Sequence, residues 1–237
     1  MSDSGTKIFY QRHLPHYQPP GYTFFITFRL AGSLPLHIIH KLKSEHAEQL
    51  KLISGILNKK EKHESYQEYQ INYFEKFDSI LDNYKNRVNW LKQSAVAEKI
   101  EEAIHFRDGK QYDLIAYTIM PNHVHIVFST MIEENVERNL PLNNVGRFAE
   151  SPTLSRNGVS TYIVTKILQD LKKFTARECN KILNRTGAFW QHESYDHVVR
   201  DEKELYKIVE YVLNNPVKAK LIDQWNNWRW SYCKFID

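Results

Sequence analysis

The 237-residue chain carries 42% hydrophobic, 13% aromatic and 25% charged residues, a globular composition that excludes a disordered or fibrous protein. Its net charge of +4 permits a nucleic-acid partner through a local basic patch without demanding one. Two cysteines, Cys179 and Cys233, exclude a disulfide framework, and no apolar run approaches the ~20 residues of a membrane span, so a cytoplasmic protein is expected.

In chain order, GYTFFITFRL (21–30) follows a Pro-Pro-Gly turn signal and is rich in aromatic and β-branched residues, which predicts a strand. The period then turns helical over 34–57, with Leu36, Ile39, Leu42, Leu50 and Ile53 among the apolar positions. Residues 58–75 are polar and tyrosine-rich and read as a solvated helix or an insertion. Another helix is expected over 94–106, with Ser94 as its N-cap. DLIAYTIM (113–120) and HVHIVFST (123–130) predict two strands joined by a Pro-Asn turn. Residues 131–158 show no period and read as a long loop. A strongly amphipathic helix over 160–183 carries Lys166, Lys172, Lys173 and Arg177. A strand over 189–200 and a helix over 201–215, begun by Asp201 and stopped by Pro216, complete the series. The order β-α-(insertion)-β-β-α-β-α predicts an α+β fold with a ferredoxin-like, split βαβ antiparallel sheet and an added C-terminal helix. The expected organisation is a single domain over 1–237, with a helical insertion at about 34–106 and a long loop at about 131–158.

Within the second strand, His123 and His125 stand at i and i+2 and face the same way, together with Val127. Two imidazoles converging from one strand suit a metal. Eleven histidines in this length give an expectation of about 0.5 such pairs by chance, so spacing alone does not establish one. On the last helix Leu205, Ile208, Val209, Val212 and Leu213 form a core-facing stripe. Tyr211 and Asn215 stand one turn apart on one flank of it, in line with Lys207, whereas Tyr206 falls ~140° away on the other flank. Among 14 tyrosines a boundary tyrosine with a packed ring is the ordinary case. A His-x-His strand, a Tyr-x3-Asn helix edge and a sheet able to bring them together make the more specific one.

The blocks QRHLPHYQPPGYTFFITFRLAGSLP, YTIMPNHVHIVF, LKKFTARECNKIL, FWQHESYDHVVRDEKEL and YVLNNPVKAKL follow one another as in the REP-associated tyrosine transposases, which the chain resembles over most of residues 10–232. These belong to the single-tyrosine branch of the HUH endonuclease superfamily. The resemblance implies that His123 and His125 bind a divalent metal, Mg²⁺ or Mn²⁺, and that Tyr211 is the nucleophile. Asn215 matches a position where insertion-sequence relatives carry a metal-binding glutamine, one methylene longer. The implied activity is single-strand cleavage and strand transfer at DNA hairpins of the repetitive extragenic palindrome kind, through a covalent 5′-phosphotyrosine and a free 3′-OH. Two imidazoles by themselves favour zinc, manganese or iron over magnesium.

Lys166, Lys172, Lys173, Arg177 and Lys207 are the candidate DNA contacts, against the ordinary alternative of a solvated helix face. Tyr195 and Tyr206 rival Tyr211 as nucleophile. Asp196 beside Tyr195 argues against the first, because it would repel a phosphate, and the helical wheel argues against the second. Trp190, His192, Tyr195, Asp196 and His197 either stack bases, supply an extra ligand or pack on the core. The competing reading is a non-catalytic nucleic-acid-binding protein on the same fold, which would have no need of Tyr211. A His-x-His metallohydrolase is disfavoured, since HVHIVF lacks the Asp-His continuation. One tyrosine per chain fits a monomer, with a dimer as the alternative, and no membrane partner is expected.

Overall fold

The computed structural model describes residues 9–11, 15–17, 21–83, 88–131 and 163–236. The predicted loop at 131–158 therefore falls almost wholly outside the described residues. The described chain divides into two compact units, one made by Gly32–Val88 and the other by the segments on either side of it.

The larger unit is built on a five-stranded antiparallel sheet. Its strands are β3 (Thr23–Arg29), β4 (Tyr112–Ile119), β5 (His123–Thr130), β6 (Tyr195–Val198) and β7 (Ser231–Cys233), ordered β6-β3-β5-β4-β7. The first four in this order are the split βαβ arrangement expected from the sequence, with β7 added at the β4 edge. Strands β3 and β5 lie in the middle, and both are buried along nearly their whole length. That explains the almost unbroken apolar run FFITF, which suits a strand covered on both faces rather than one. Upstream, β1 (Phe9–Gln11) and β2 (Pro15–Tyr17) form a separate antiparallel pair.

On one face lie α3 (Ser94–Arg107) and α4 (Ile163–Ile182), which pack on each other. Arg107 links them through Asp170, with Nη2 2.9 Å from the carboxylate. The Trp190 indole donates to Thr175 at 2.8 Å and its ring meets Phe28 edge-on, so this tryptophan belongs to the core. The opposite face receives α5 (Glu202–Lys218), which packs on β4, β5 and β7.

Three local expectations are corrected, and one strand was not foreseen. Helix α5 does not stop at Pro216 but runs through it to Lys218. Proline removes only the bond to the Val212 carbonyl, while Ala219 and Leu221 donate to the carbonyls of Asn215 and Pro216, and burial of both residues holds the turn. The strand expected over 189–200 shrinks to Tyr195–Val198, since residues 189–194 follow α4 as extended chain joined to β3 at an isolated Leu30–Trp190 bridge. Gln93, not Ser94, is the N-cap of α3. Short β7 carried no period long enough to read.

The smaller unit is a helix pair, α1 (Leu36–Ser54) and α2 (Lys59–Asn83). The polar segment 58–75 is thus helical, opened by Asn58, whose side chain accepts from the amides of Lys60 and Glu61. Between the helices His46 is buried and bonds the Tyr69 hydroxyl through Nδ1 at 2.7 Å. Helix α3, placed by the sequence in the insertion, counts with the sheet.

Candidate active site

A two-residue Pro121-Asn122 turn delivers the chain into β5. The turn is closed by Met120 N–H donating to the His123 carbonyl at 2.9 Å and tied to β3 by Leu30 N–H donating to the Asn122 carbonyl. His123 and His125 then lie opposite Arg29 and Thr27 of β3 and project from one face, both fully buried. Their Nε2 atoms meet at 3.0 Å. Each Nδ1 is held from behind, that of His123 by the Asn122 carboxamide oxygen and that of His125 by the Thr27 hydroxyl, both at 2.7 Å.

These partners decide which protons the rings carry. A carboxamide oxygen only accepts, so His123 carries its proton on Nδ1 and turns an Nε2 lone pair toward His125. The Thr27 hydroxyl both donates and accepts. When it donates, His125 holds its proton on Nε2 and gives it to His123. When it accepts, the proton moves to Nδ1 and both Nε2 lone pairs point at one place, as metal ligands do. The pair therefore fits a divalent cation.

Helix α5 brings Tyr211 to the same place. Its ring stands edge-on to His125, centroids 5.9 Å apart, and edge-on to Phe25 at 6.2 Å. One turn on, Asn215 is fully buried. Tyr206 is 76% exposed, as the helical wheel predicts for the other flank. Lys207 is exposed, and the Lys218 ammonium lies over the Tyr211 ring, 5.1 Å from the centroid. Tyr195 lies opposite Thr27, on the face that carries His125, and Asp196 lies opposite Ile26 on the reverse face. The repulsion invoked against Tyr195 thus has no basis in the structure. Both tyrosine rings meet Phe25 at 6.2 Å, and Tyr211 in addition stands edge-on to His125.

The cations of α4 divide. Lys166 and Lys173 are exposed, and Arg177 is exposed but paired with Glu178 at 2.6 Å. Lys172 differs in kind. Its ammonium donates to the Gln191 and His192 carbonyls and the Ser194 hydroxyl at 2.6, 3.0 and 3.1 Å. Burial, together with the nearby Arg29 charge, pulls its pKa down to about 8. It therefore staples the chain that leads into β6.

Sequence reasoning missed four contributors. Asn122 stood beside His123 in MPNHVH and was legible as a turn residue only. Thr27 comes to His125 through strand register, which no local pattern encodes. Lys218 lies beyond the proline read as a stop. Glu204 accepts from His197 Nε2 at 3.1 Å, from the Arg200 amide at 2.7 Å and from the Arg200 guanidinium at 2.5 Å. Burial raises the Glu204 carboxyl, but these donors outweigh it and hold it well below the usual carboxylate range.

No family model matches the chain. An uncharacterized protein of Haemophilus influenzae is 31% identical over 103 residues, 43% of this chain and 52% of the relative. A second protein of that organism, named "Putative REP-associated tyrosine transposase", is 26% identical over 122 residues, 51% of this chain and 58% of the relative. The chain thus spans little more than half the length of these curated relatives. A solved REP-associated tyrosine transposase bound to a REP hairpin superposes with a TM-score of 0.48 at 16% identity, covering 94% of this chain and 80% of that one. In its sequence blocks and in a named relative alike, the chain is similar to the REP-associated tyrosine transposases.

Proposed function

We propose that this protein is a metal-dependent single-strand DNA endonuclease and strand transferase that works at hairpin-forming repeats through a phosphotyrosine on Tyr211. The observation that carries the reading is the meeting of two buried imidazole nitrogens at 3.0 Å with a tyrosine ring against one of them. His123 and His125, with Asn215, would hold Mg²⁺ or Mn²⁺. When bound, such an ion draws charge from a non-bridging phosphate oxygen and makes phosphorus more electrophilic.

The remaining work falls to the chain. The Tyr211 Oη attacks phosphorus, its proton leaves to solvent, and the bond to the 3′ oxygen breaks as that oxygen takes up a proton. The products are a 5′-phosphotyrosine and a free 3′-OH, and reversal rejoins strands because the diester bond energy is kept. A phenol with an ordinary pKa near 10 needs help to ionise. The Lys218 ammonium over the ring lowers the cost of the phenolate. Phe25 and His125 fix the ring from two sides and restrict it to few orientations. An in-line approach to phosphorus favours single-stranded DNA, since a continuous duplex hinders it. Exposed Lys166, Lys173 and Lys207 are the candidates for backbone contacts.

The test is incubation with end-labelled hairpin oligonucleotides carrying single-stranded flanks, with Mn²⁺ or Mg²⁺, followed by denaturing electrophoresis. A protein–DNA adduct in wild type, absent in Tyr211→Phe, is expected. Tight hairpin binding with no adduct under any divalent ion would favour a non-catalytic binding protein.

A further inference from the structure

The Glu204 carboxylate joins two elements that the proposed reaction needs in register. From the first turn of α5 it reaches His197 on β6, and it also caps the turn: the Glu204 amide donates to Asp201 at 2.8 Å and the carboxylate takes the Arg200 amide in return. His197 lies opposite Phe25, the residue whose ring contacts Tyr211, Tyr195 and His125. Tyr211 follows Glu204 by seven residues, about 10 Å along the helix. Once that link is lost, even a small tilt of the first turns of α5 against the sheet becomes a displacement of order 1 Å at that distance. Such an error in a nucleophile costs up to about a hundredfold in rate.

We propose, on the reading of function given above, that Glu204 is a positioning residue: its carboxylate locks the start of α5 to β6 through His197 and so sets where the Tyr211 phenol stands above the imidazole pair. Arg200 neutralises the carboxylate and engages both of its oxygens, with Nε at 3.1 Å from each. The charge is thereby satisfied at 15% side-chain exposure instead of being left buried and alone. Glu204 touches neither phosphate nor metal in this scheme. Its effect reaches the chemistry only through the placement of α5.

The experiment is single-turnover adduct formation beside hairpin affinity, for Glu204→Ala, His197→Ala, the double variant and Glu204→Gln. A positioning role lowers the adduct rate of each single alanine variant about tenfold or more and leaves affinity within about twofold. The double variant then falls no further than the worse single one, because both remove the same link. Glu204→Gln, which keeps the amide and imidazole contacts in neutral form, recovers part of the rate. Rate and affinity falling together, or additive losses in the double variant, would overturn the proposal. A second readout does not need the reaction: 3-fluorotyrosine placed at 211 gives one ¹⁹F line in the native protein, which shifts or splits in Glu204→Ala and His197→Ala. An unchanged line refutes the lock. Should wild type form no adduct, the functional reading fails, and the fluorine spectrum alone decides the lock.

Discussion

At the scale of single residues, the candidate site depends on where protons sit. His123→Ala and His125→Ala remove one Nε2 each and are expected to abolish adduct formation. Circular dichroism checks that each variant stays folded, and full activity of either in Mn²⁺ would rule out the metal role. Thr27→Val is the subtler change. It keeps the shape, yet it removes the hydroxyl that accepts the His125 Nδ1 proton in the ligand tautomer. Loss of such a partner typically costs 10–100-fold in metal affinity, measured here by Mn²⁺ titration, and a Thr27→Ser variant should restore most of it. Tyr211→Phe is expected to eliminate the adduct with hairpin affinity nearly intact. Tyr206→Phe, altering a ring 76% exposed, should react at close to the normal rate. Peptide mapping that found DNA on Tyr195 would transfer the role to the tyrosine that shares the same sheet face.

The elements obey two different kinds of control. Helix α5 begins where Asp201 accepts the Glu204 amide, so Asp201→Ala should cost about 1 kcal/mol in chemical denaturation. Glu204 adds a pH dependence whose sign follows from its depressed folded pKa against an unfolded value of 4.5. The unfolded chain binds the proton more readily, so the contribution is complete above about pH 4.5 and is lost as pH falls toward the folded value. Wild type should therefore exceed Glu204→Gln in stability at pH 7, and the gap should narrow progressively below pH 4.5. A constant gap across that range would mean that the carboxylate charge has no part in holding α5. Lys172 sits on another element and acts in another way. Because its ammonium is spent on loop acceptors, Lys172→Ala should lower stability without changing the salt dependence of DNA binding.

Across the whole molecule, the exposed cations and not the half-buried Lys172 should govern DNA affinity. Hairpin binding is expected to weaken steeply with salt, and loss of Lys166 or Lys173 to reduce the slope of log affinity against log salt by about one unit for each phosphate contact removed. Efficient cutting of fully paired DNA would contradict the single-strand requirement. No described helix is long and apolar enough to cross a membrane.

The sequence by itself determined the elements whose period is local. The strands at 23–29, 112–119 and 123–130, the amphipathic helix over 163–182 and the flank of α5 that bears Tyr211 were all legible, because side-chain direction repeats every 2.0 or 3.6 residues along one segment. The shared face of His123 and His125 was legible for the same reason. Tertiary structure alone decided what stands behind those histidines, which lysine lies over the tyrosine, and which way Asp196 points. Thr27 meets His125 across 98 residues of chain, and Lys172 reaches its acceptors only when the segment after α4 folds back on it. Pro216, a helix stop by local rules, is carried within α5 because burial and the next turn's hydrogen bonds outweigh one missing donor. Periodicity belongs to neighbours in sequence. Register, burial and the competition between them belong to neighbours in space, and the proton positions at the histidine pair follow from those.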